Sequence, residues 1–421
     1  MSSKSSIQRI IFHIDFDSFF ASVEQQYNPA YRNKPIGITA TNGRTCVIAA
    51  SREAKKDGVA TGCRTFDAVR LCPTIRFVPA HFSRYWEISK KFISICQQYS
   101  PHIEVFSLDE LFMDVTETVF LYKDVFSLVD KIKKQITEEI GPFITVSIGI
   151  SYNRILAKLA TGLKKPNGVF QITPQNLIGV YSVAKLTDIC GIGPRIESRL
   201  QMMGIYKLVQ LRSVPLSALI SEFGDVEGHF LYNVGHGIDE SPVMAFERSP
   251  DAKSVGRQYC LAKNEYDRRV VLQNVYELCE EVCFKLRRVL MRGRTFGVSL
   301  VGTQSIYGHE TSSEASDQTR QMYAVCMRVI KRNHDLFEEG YIRRIGVWAG
   351  NLQRISTLPY FLLPEDQKYE RIIKIKDSVN EKFGRYTIRN GFLLYAKKLE
   401  TVPNGYGSDQ YEMMKMRKFG V

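Results

Sequence analysis

The 421-residue sequence predicts an α+β protein built in successive parts, and three observations carry that reading. Short apolar, β-branched or aromatic runs mix with longer helical stretches through the first 170 residues, the pattern of an α+β sheet domain. Residues 174–240 then change to short-looped helical sequence punctuated by Gly191, Gly193, Gly204, Gly224, Gly235 and Gly237. From Lys253 onward the order strand, helix, strand, strand, helix, strand predicts a βαββαβ domain.

Residues 7–18 read as a strand ending in an acidic turn, and 19–27 as the start of a helix. Residues 32–81 hold short strands and one helix, whose segment Glu53-Ala-Lys-Lys-Asp-Gly58 carries a glycine stop. A helix is predicted over 83–99, then a hairpin of strands 103–106 and 111–115 interrupted by Asp109-Glu110. Helix 123–139, strand 143–150 and helix 152–163 follow. The stretch 241–252 has Pro242 and Pro250 and no period, so it reads as a linker. In the last domain the predicted elements are strand 254–262, helix 270–290, strands 295–302 and 305–312, helix 318–333 and strand 341–349. One amphipathic helix is expected at about 365–383, among Gly- and Asn-rich loops.

Composition narrows the function classes. The chain is 44% hydrophobic and 24% charged, which is ordinary globular usage. No apolar run reaches the roughly eighteen residues of a membrane span, and the N-terminus lacks a secretory core. Nine scattered cysteines, an odd number with no paired CxxC, predict a reducing cytoplasm and no zinc. Net charge is +13, and residues 253–421 carry 29 Lys and Arg against 19 Asp and Glu. A phosphate backbone is the commonest partner of such a basic surface, and plain solubility is the alternative.

Asp15 and the Asp109-Glu110 pair carry the chemistry. Each lies at the end of, or interrupts, an apolar strand-like run, and acids at the ends of neighbouring strands can converge. Three hard oxygen donors at one point suit one or two Mg²⁺ ions, which clamp the attacking and leaving oxygens of a phosphoryl displacement. Asp17 is read as lying outside this set. Taken singly, each acid has an equally plain reading as a solvated strand end.

The wording of four segments resolves that choice. Asp15-Phe16-Asp17-Ser-Phe19-Phe20-Ala-Ser-Val-Glu comes first, and Ser107-Leu-Asp109-Glu110 some ninety residues later. Ser151-Tyr-Asn153-Arg-Ile-Leu-Ala-Lys158-Leu-Ala follows, running on to Lys164-Lys165-Pro166-Asn167-Gly168, and then Gly191-Ile-Gly193-Pro-Arg195. In this order and spacing they resemble the Y-family DNA polymerases of the DinB and UmuC type, over roughly residues 8 to 350.

The resemblance implies a right-hand polymerase. Residues 7–18 and 82–173 would form a ferredoxin-like palm, and 19–81 small fingers. An all-α thumb with a helix-hairpin-helix would span 174–240 and the little finger 253–353. A tail from 354 to 421 would follow. The implied activity is template-directed DNA synthesis of low fidelity across damaged bases, in DNA repair and the SOS response. The implied cofactor is a pair of Mg²⁺ ions. The implied partners are primer-template DNA, deoxynucleoside triphosphates and the sliding clamp, with the chain itself a monomer in the cytoplasm.

Residue by residue, the resemblance makes Asp15, Asp109 and Glu110 metal ligands, joined by the backbone carbonyl of Phe16. Phe20, with Phe19 beside it, would pack under the sugar, where a 2′-hydroxyl would clash and find no partner. Arg52 and Lys55 lie three apart on a predicted helix and share a face, and with Lys165 would hold the triphosphate. The pattern departs from DinB-type enzymes here. Those usually show Ser/Thr, Tyr and Arg where this chain has Ala49, Arg52 and Lys55, so the hydroxyl groups are missing while positive charge is kept. Gly191 and Gly193 would let backbone N–H groups approach a DNA phosphate. Lys253, Arg257, Arg294, Arg343 and Arg344, on or beside little-finger strands, would hold duplex backbone. Thr357-Leu358-Pro-Tyr360-Phe361 has the shape of a clamp-binding peptide anchored by Leu358 and Phe361, and its competing reading is a loop packed on the little finger.

Two rival functions fit less well. A non-catalytic DNA-binding protein would not need all three acids. A metal-dependent nuclease would not need Phe20 with the Arg52, Lys55 and Lys165 set.

Overall fold

The computed structural model describes residues 9–40, 46–244, 252–358, 364–384, 387–394 and 396. The described residues up to 244 form one compact unit and those from 252 a second, each with its own core.

In the first unit, strand β1 (Ile11–Phe16) is fully apolar on one face through Phe12, Ile14 and Phe16, while Ile11, His13 and Asp15 point to the other. It stops one residue after Asp15, because Ser18 takes a left-handed turn (φ 51°) into helix α1 (Phe19–Tyr27). Strands β2 (Ile36–Thr39) and β3 (Val47–Ala50) precede helix α2 (Arg52–Lys56), whose N-cap Ser51 accepts from the Ala54 N–H. A further helix, α3 (Thr65–Leu71), was not expected from the sequence. It leads to β4 (Arg76–Pro79), which closes a three-stranded sheet in the order β3-β2-β4. Helix α4 (Phe82–Gln97) places the Phe92 ring 4.5 Å from that of Phe16.

Strands β5 (Ile103–Val105) and β6 (Glu110–Asp114) form the predicted hairpin. Helix α5 (Val125–Glu139), strand β7 (Val146–Ser151), helix α6 (Arg154–Leu163) and a short β8 (Val169–Gln171) follow. The resulting five-stranded sheet runs β5-β6-β1-β7-β8, so the acid-bearing strands β1 and β6 are neighbours. Helix α6 crosses close over β7, because a side chain at Gly149 would put its Cβ 2.0 Å from the Ala157 carbonyl oxygen. Only glycine permits that approach.

Helices α7 (Leu177–Val183), α8 (Pro194–Met202), α9 (Leu208–Leu211), α10 (Leu216–Phe223) and α11 (Asp225–His236) make up the predicted helical part. Their Leu and Ile side chains share a core with Leu156, Leu159 and Ala160 of α6. The linker reading at 241–252 falls largely on residues outside those described.

The second unit has the predicted βαββαβ order. Its elements are β9 (Ser254–Glu265), α12 (Arg268–Arg288), β10 (Met291–Gly302), β11 (Ser305–Ser316), α13 (Thr319–Arg332), a short α14 (His334–Glu338) and β12 (Ile342–Arg354). The sheet order is β11-β10-β12-β9. Helix α15 (Pro364–Phe383) forms where an amphipathic helix was expected. Its docking runs through charge: Asp377 pairs with Arg287 at 2.6 Å and Glu370 with Arg292 at 3.6 Å, whereas Ile372, Ile375 and Phe383 are exposed.

Candidate active site

Asp15 on β1 and Glu110 on β6 are direct antiparallel partners, and the Phe16 N–H donates to the Asp109 carbonyl at 2.9 Å. Register therefore brings the predicted acids to one strand end. Asp15, Phe16, Phe19, Phe20, Lys55, Asp109 and Lys165 line a cavity of about 200 Å³. Ile48, Ala49 and Ala50 of β3 lie on its wall. One ligand atom each from His13, Asp15 and Glu110 fall within 4.8 Å of one another. Asp109 borders the cavity but turns Oδ1 to the Ser107 hydroxyl, which donates at 2.6 Å.

The acids differ in proton affinity. Burial pushes the Asp15 carboxyl up to about 7 against the pull of Lys165, which is ion-paired to it. Burial also raises Asp109. Burial would raise Glu110 too, but the His13 hydrogen bond and the Lys158 charge outweigh it and hold Glu110 at about 2. His13 itself is pushed down to about 4 by burial. The donors are mostly carboxylate oxygens around a charged cavity, which fits a hard divalent cation.

The predicted triphosphate cations separate. Lys55 and Lys165 line the cavity, and burial together with the Lys165 charge pushes the Lys55 ammonium below its ordinary range. Arg52 instead turns to Asp17 at 3.5 Å and to the Thr145 hydroxyl. Asp17 lies in the turn after β1, buried, accepting from Ser147 Oγ at 2.7 Å, Thr145 Oγ1 at 2.5 Å and the Asn167 N–H at 2.7 Å. Its lone pairs are thus committed, and it ties the Lys165–Gly168 loop to the five-stranded sheet. Phe20 is 7% exposed and stacks on the buried Tyr85, with ring centroids 4.3 Å apart and planes 11° apart. Phe19 stacks on Phe16 at 4.8 Å.

Sequence reasoning missed His13, Lys158 and Thr161 as site residues. The signal was available: His13 stands two residues before Asp15 on the same strand face, and Lys158 and Thr161 are three apart on one face of α6.

Among the predicted DNA-binding residues, Gly191 takes φ 113° and lies where a Cβ would sit 2.5 Å from the Phe230 ring, while Gly193 is the N-cap of α8 with open space beside it. Lys253 and Arg344 are exposed, and Arg343 is half-buried. Arg294 donates to the Ser312 carbonyl at 3.0 Å. Arg257 is a correction. Alternation along β9 points Val255, Arg257 and Leu261 inward, and Arg257 is 5% exposed and paired with Glu281 of α12 at 2.8 Å. That ion pair commits it within its own domain rather than leaving it exposed as Lys253 and Arg344 are. Leu358 is half-buried, and Phe361 lies outside the described residues.

The profile described as the impB/mucB/samB family matches residues 14–162, which hold all three acids. That described as the impB/mucB/samB family C-terminal domain matches 252–358. A DNA polymerase IV of Pelotomaculum thermopropionicum is 30% identical over 381 residues, covering 89% of this chain and 92% of its own length. The chain belongs to the Y-family DNA polymerases.

A DNA polymerase IV of Bacteroides fragilis is 32% identical over 346 residues, covering 82% of this polymerase and 93% of its own length. A solved Y-family DNA polymerase chimera superposes with TM-score 0.71 at 27% identity, covering 82% of this chain and 99% of its own. DinB from Sulfolobus solfataricus gives TM-score 0.52 at 27% identity, over 82% and 99% of the two chains. Residues 187–239, which include the Gly191-Ile-Gly193 turn, match the description "DNA polymerase-iota, thumb domain". The right-hand polymerase fold thus accounts for both the sheet that carries the acids and the helical part beside it. Among the described residues no helix is long and apolar enough to cross a membrane.

Proposed function

We propose that this Y-family, DNA-directed DNA polymerase joins deoxynucleotides to a primer 3′-hydroxyl across damaged template. Two Mg²⁺ ions would be held by Asp15, Asp109, Glu110 and the Phe16 carbonyl. The cross-strand pairing of Asp15 with Glu110, at the edge of a cavity that also holds Asp109, Phe20 and Lys165, carries this reading. Bound there, the ions supply a lowered pKa at the 3′-hydroxyl and neutralise charge on the leaving pyrophosphate.

The chain's own groups do the rest. Lys55 and Lys165 present ammonium donors to the triphosphate, and Lys165, now paired with Asp15, would be freed for phosphate oxygens with a cation on that carboxylate. The Phe20 ring, backed by Tyr85, lies beneath the sugar and leaves a 2′-hydroxyl no room and no acceptor. Exposed Lys253 and Arg344, with the basic second unit, hold duplex backbone without reading sequence.

Primer extension by the purified chain, on undamaged and abasic templates with Mg²⁺ and the four deoxynucleotides, tests the proposal. Extension past the abasic site supports it, and no extension on either template overturns it.

A further inference from the structure

Glu110 does not stand alone beside Asp15. Its Oε2 receives Lys158 Nζ, and His13 Nε2 lies 3.0 Å from the same oxygen. The His13 ring is 1% exposed, packs 4.7 Å from Phe112 and turns Nδ1 to Thr161 Oγ1 at 2.8 Å. The Thr161 hydroxyl is also 3.0 Å from the Ala157 and His13 carbonyls.

Two tautomers fit these contacts, since Lys158 Nζ also lies 3.5 Å from His13 Nε2, and the carboxylate favours one of them. A carboxylate only accepts, so an Nε2–H is the tautomer that satisfies the shorter, 3.0 Å contact with Glu110. The Nδ1 of a neutral imidazole is then an acceptor, and the single Thr161 hydroxyl proton turns to it at 2.8 Å in preference to the two carbonyls at 3.0 Å. Glycine at 149 lets this happen. It is the cross-strand partner of His13, and a Cβ there would sit 2.5 Å from Thr161 Oγ1.

We propose that His13 is a positioning residue for Glu110: its Nε2–H, in the tautomer set by Thr161, joins Lys158 in fixing Oε2, so that Oε1 is offered to the cation. This rests on the reading of Glu110 as a metal ligand. In this tautomer His13 is not itself a ligand, because its Nε2 carries the N–H that Glu110 accepts, and a hard cation takes oxygen. Outer partners of this kind commonly change metal affinity by about 10–100-fold when removed.

Mn²⁺ binding to the full chain on primer-template, followed by electron paramagnetic resonance, tests the assignment in His13→Leu, His13→Gln, Thr161→Val and Glu110→Gln. Thermal unfolding runs alongside as a check on folding. Removing the donor in His13→Leu should weaken Mn²⁺ binding about tenfold. His13→Gln, whose amide N–H reaches the same oxygen, should restore most of it. Thr161→Val should weaken binding by a smaller factor with the ring still present, and it keeps the test alive should His13→Leu fail to fold. Unchanged Mn²⁺ binding in both Thr161→Val and His13→Leu, with Glu110→Gln weakened, overturns the positioning role alone. Unchanged binding in Glu110→Gln overturns the metal-ligand reading beneath it.

Discussion

Asp15 and Glu110 face each other across the β1–β6 ladder, each with its own lysine: Lys165 on Asp15 and Lys158 on Glu110. Like charges directly opposite in an antiparallel pair destabilise it. The two lysines relieve that repulsion without a cation. Lys158 also works with His13 to keep Glu110 ionised, whereas Lys165 shares a more deeply buried Asp15 that holds its proton to about pH 7.

Cation binding should therefore release a proton from Asp15 at mildly acidic pH. The folded, metal-free carboxyl sits at about 7 against an ordinary 3.8. Folded protein thus binds an extra proton between those values, and metal-free stability falls as pH rises through that window. Calorimetry of Mg²⁺ binding in buffers of different ionisation enthalpy should show close to one proton released at pH 6 and close to none at pH 8.5. Release independent of pH would contradict it.

Phe20→Ala should admit ribonucleotides. The ring rests on Tyr85 and borders the cavity, so its removal opens space under the sugar without touching the acids. The ratio of deoxy- to ribonucleotide incorporation should fall by at least tenfold, as about 1.4 kcal/mol of lost discrimination gives. An unchanged ratio makes Phe20 a core residue only.

Gly149→Ala should destabilise the first unit by about 1–3 kcal/mol, because the added methyl meets backbone of α6 that cannot yield. The shift would also carry Thr161 and Lys158 away from His13 and Glu110. Chemical denaturation measures the first effect, and wild-type stability would show that α6 lies farther from β7.

Much of the fold was legible because its signals are local. Alternation along β1 and β9, the β5–β6 hairpin and the βαββαβ order all follow from short-range patterning. The small helix α3 and the three-residue β8 carry too little pattern to stand out. At the site, the three acids were legible from their motifs, and Asp15 with Glu110 from strand ends. The inward turn of Arg257 needed β9's register against α12, and the reach of Thr161 to His13 needed the close crossing that Gly149 allows. Both depend on packing between elements distant in sequence.

Removing residues 253–421 should lower the dependence of DNA binding on salt. That segment has a charge of +10, from 29 Lys and Arg against 19 Asp and Glu. Each phosphate that the shortened chain no longer neutralises should reduce the slope of log affinity against log salt by roughly 0.9. The second unit has its own core, so its removal should leave the five-stranded sheet and its acids intact. Equal slopes would show that the basic excess faces solvent.

Single-turnover incorporation by Glu110→Gln, beside its primer-template affinity, tests the central assignment most directly. The substitution keeps size and removes charge where it stabilises the developing transition state, while affinity comes from phosphate contacts elsewhere. The account predicts a rate reduced by about a thousandfold or more at saturating Mg²⁺, a barrier raised by roughly 4 kcal/mol, with DNA affinity within a few-fold of the unsubstituted chain. A near-normal rate would show that the chemistry does not run through Glu110.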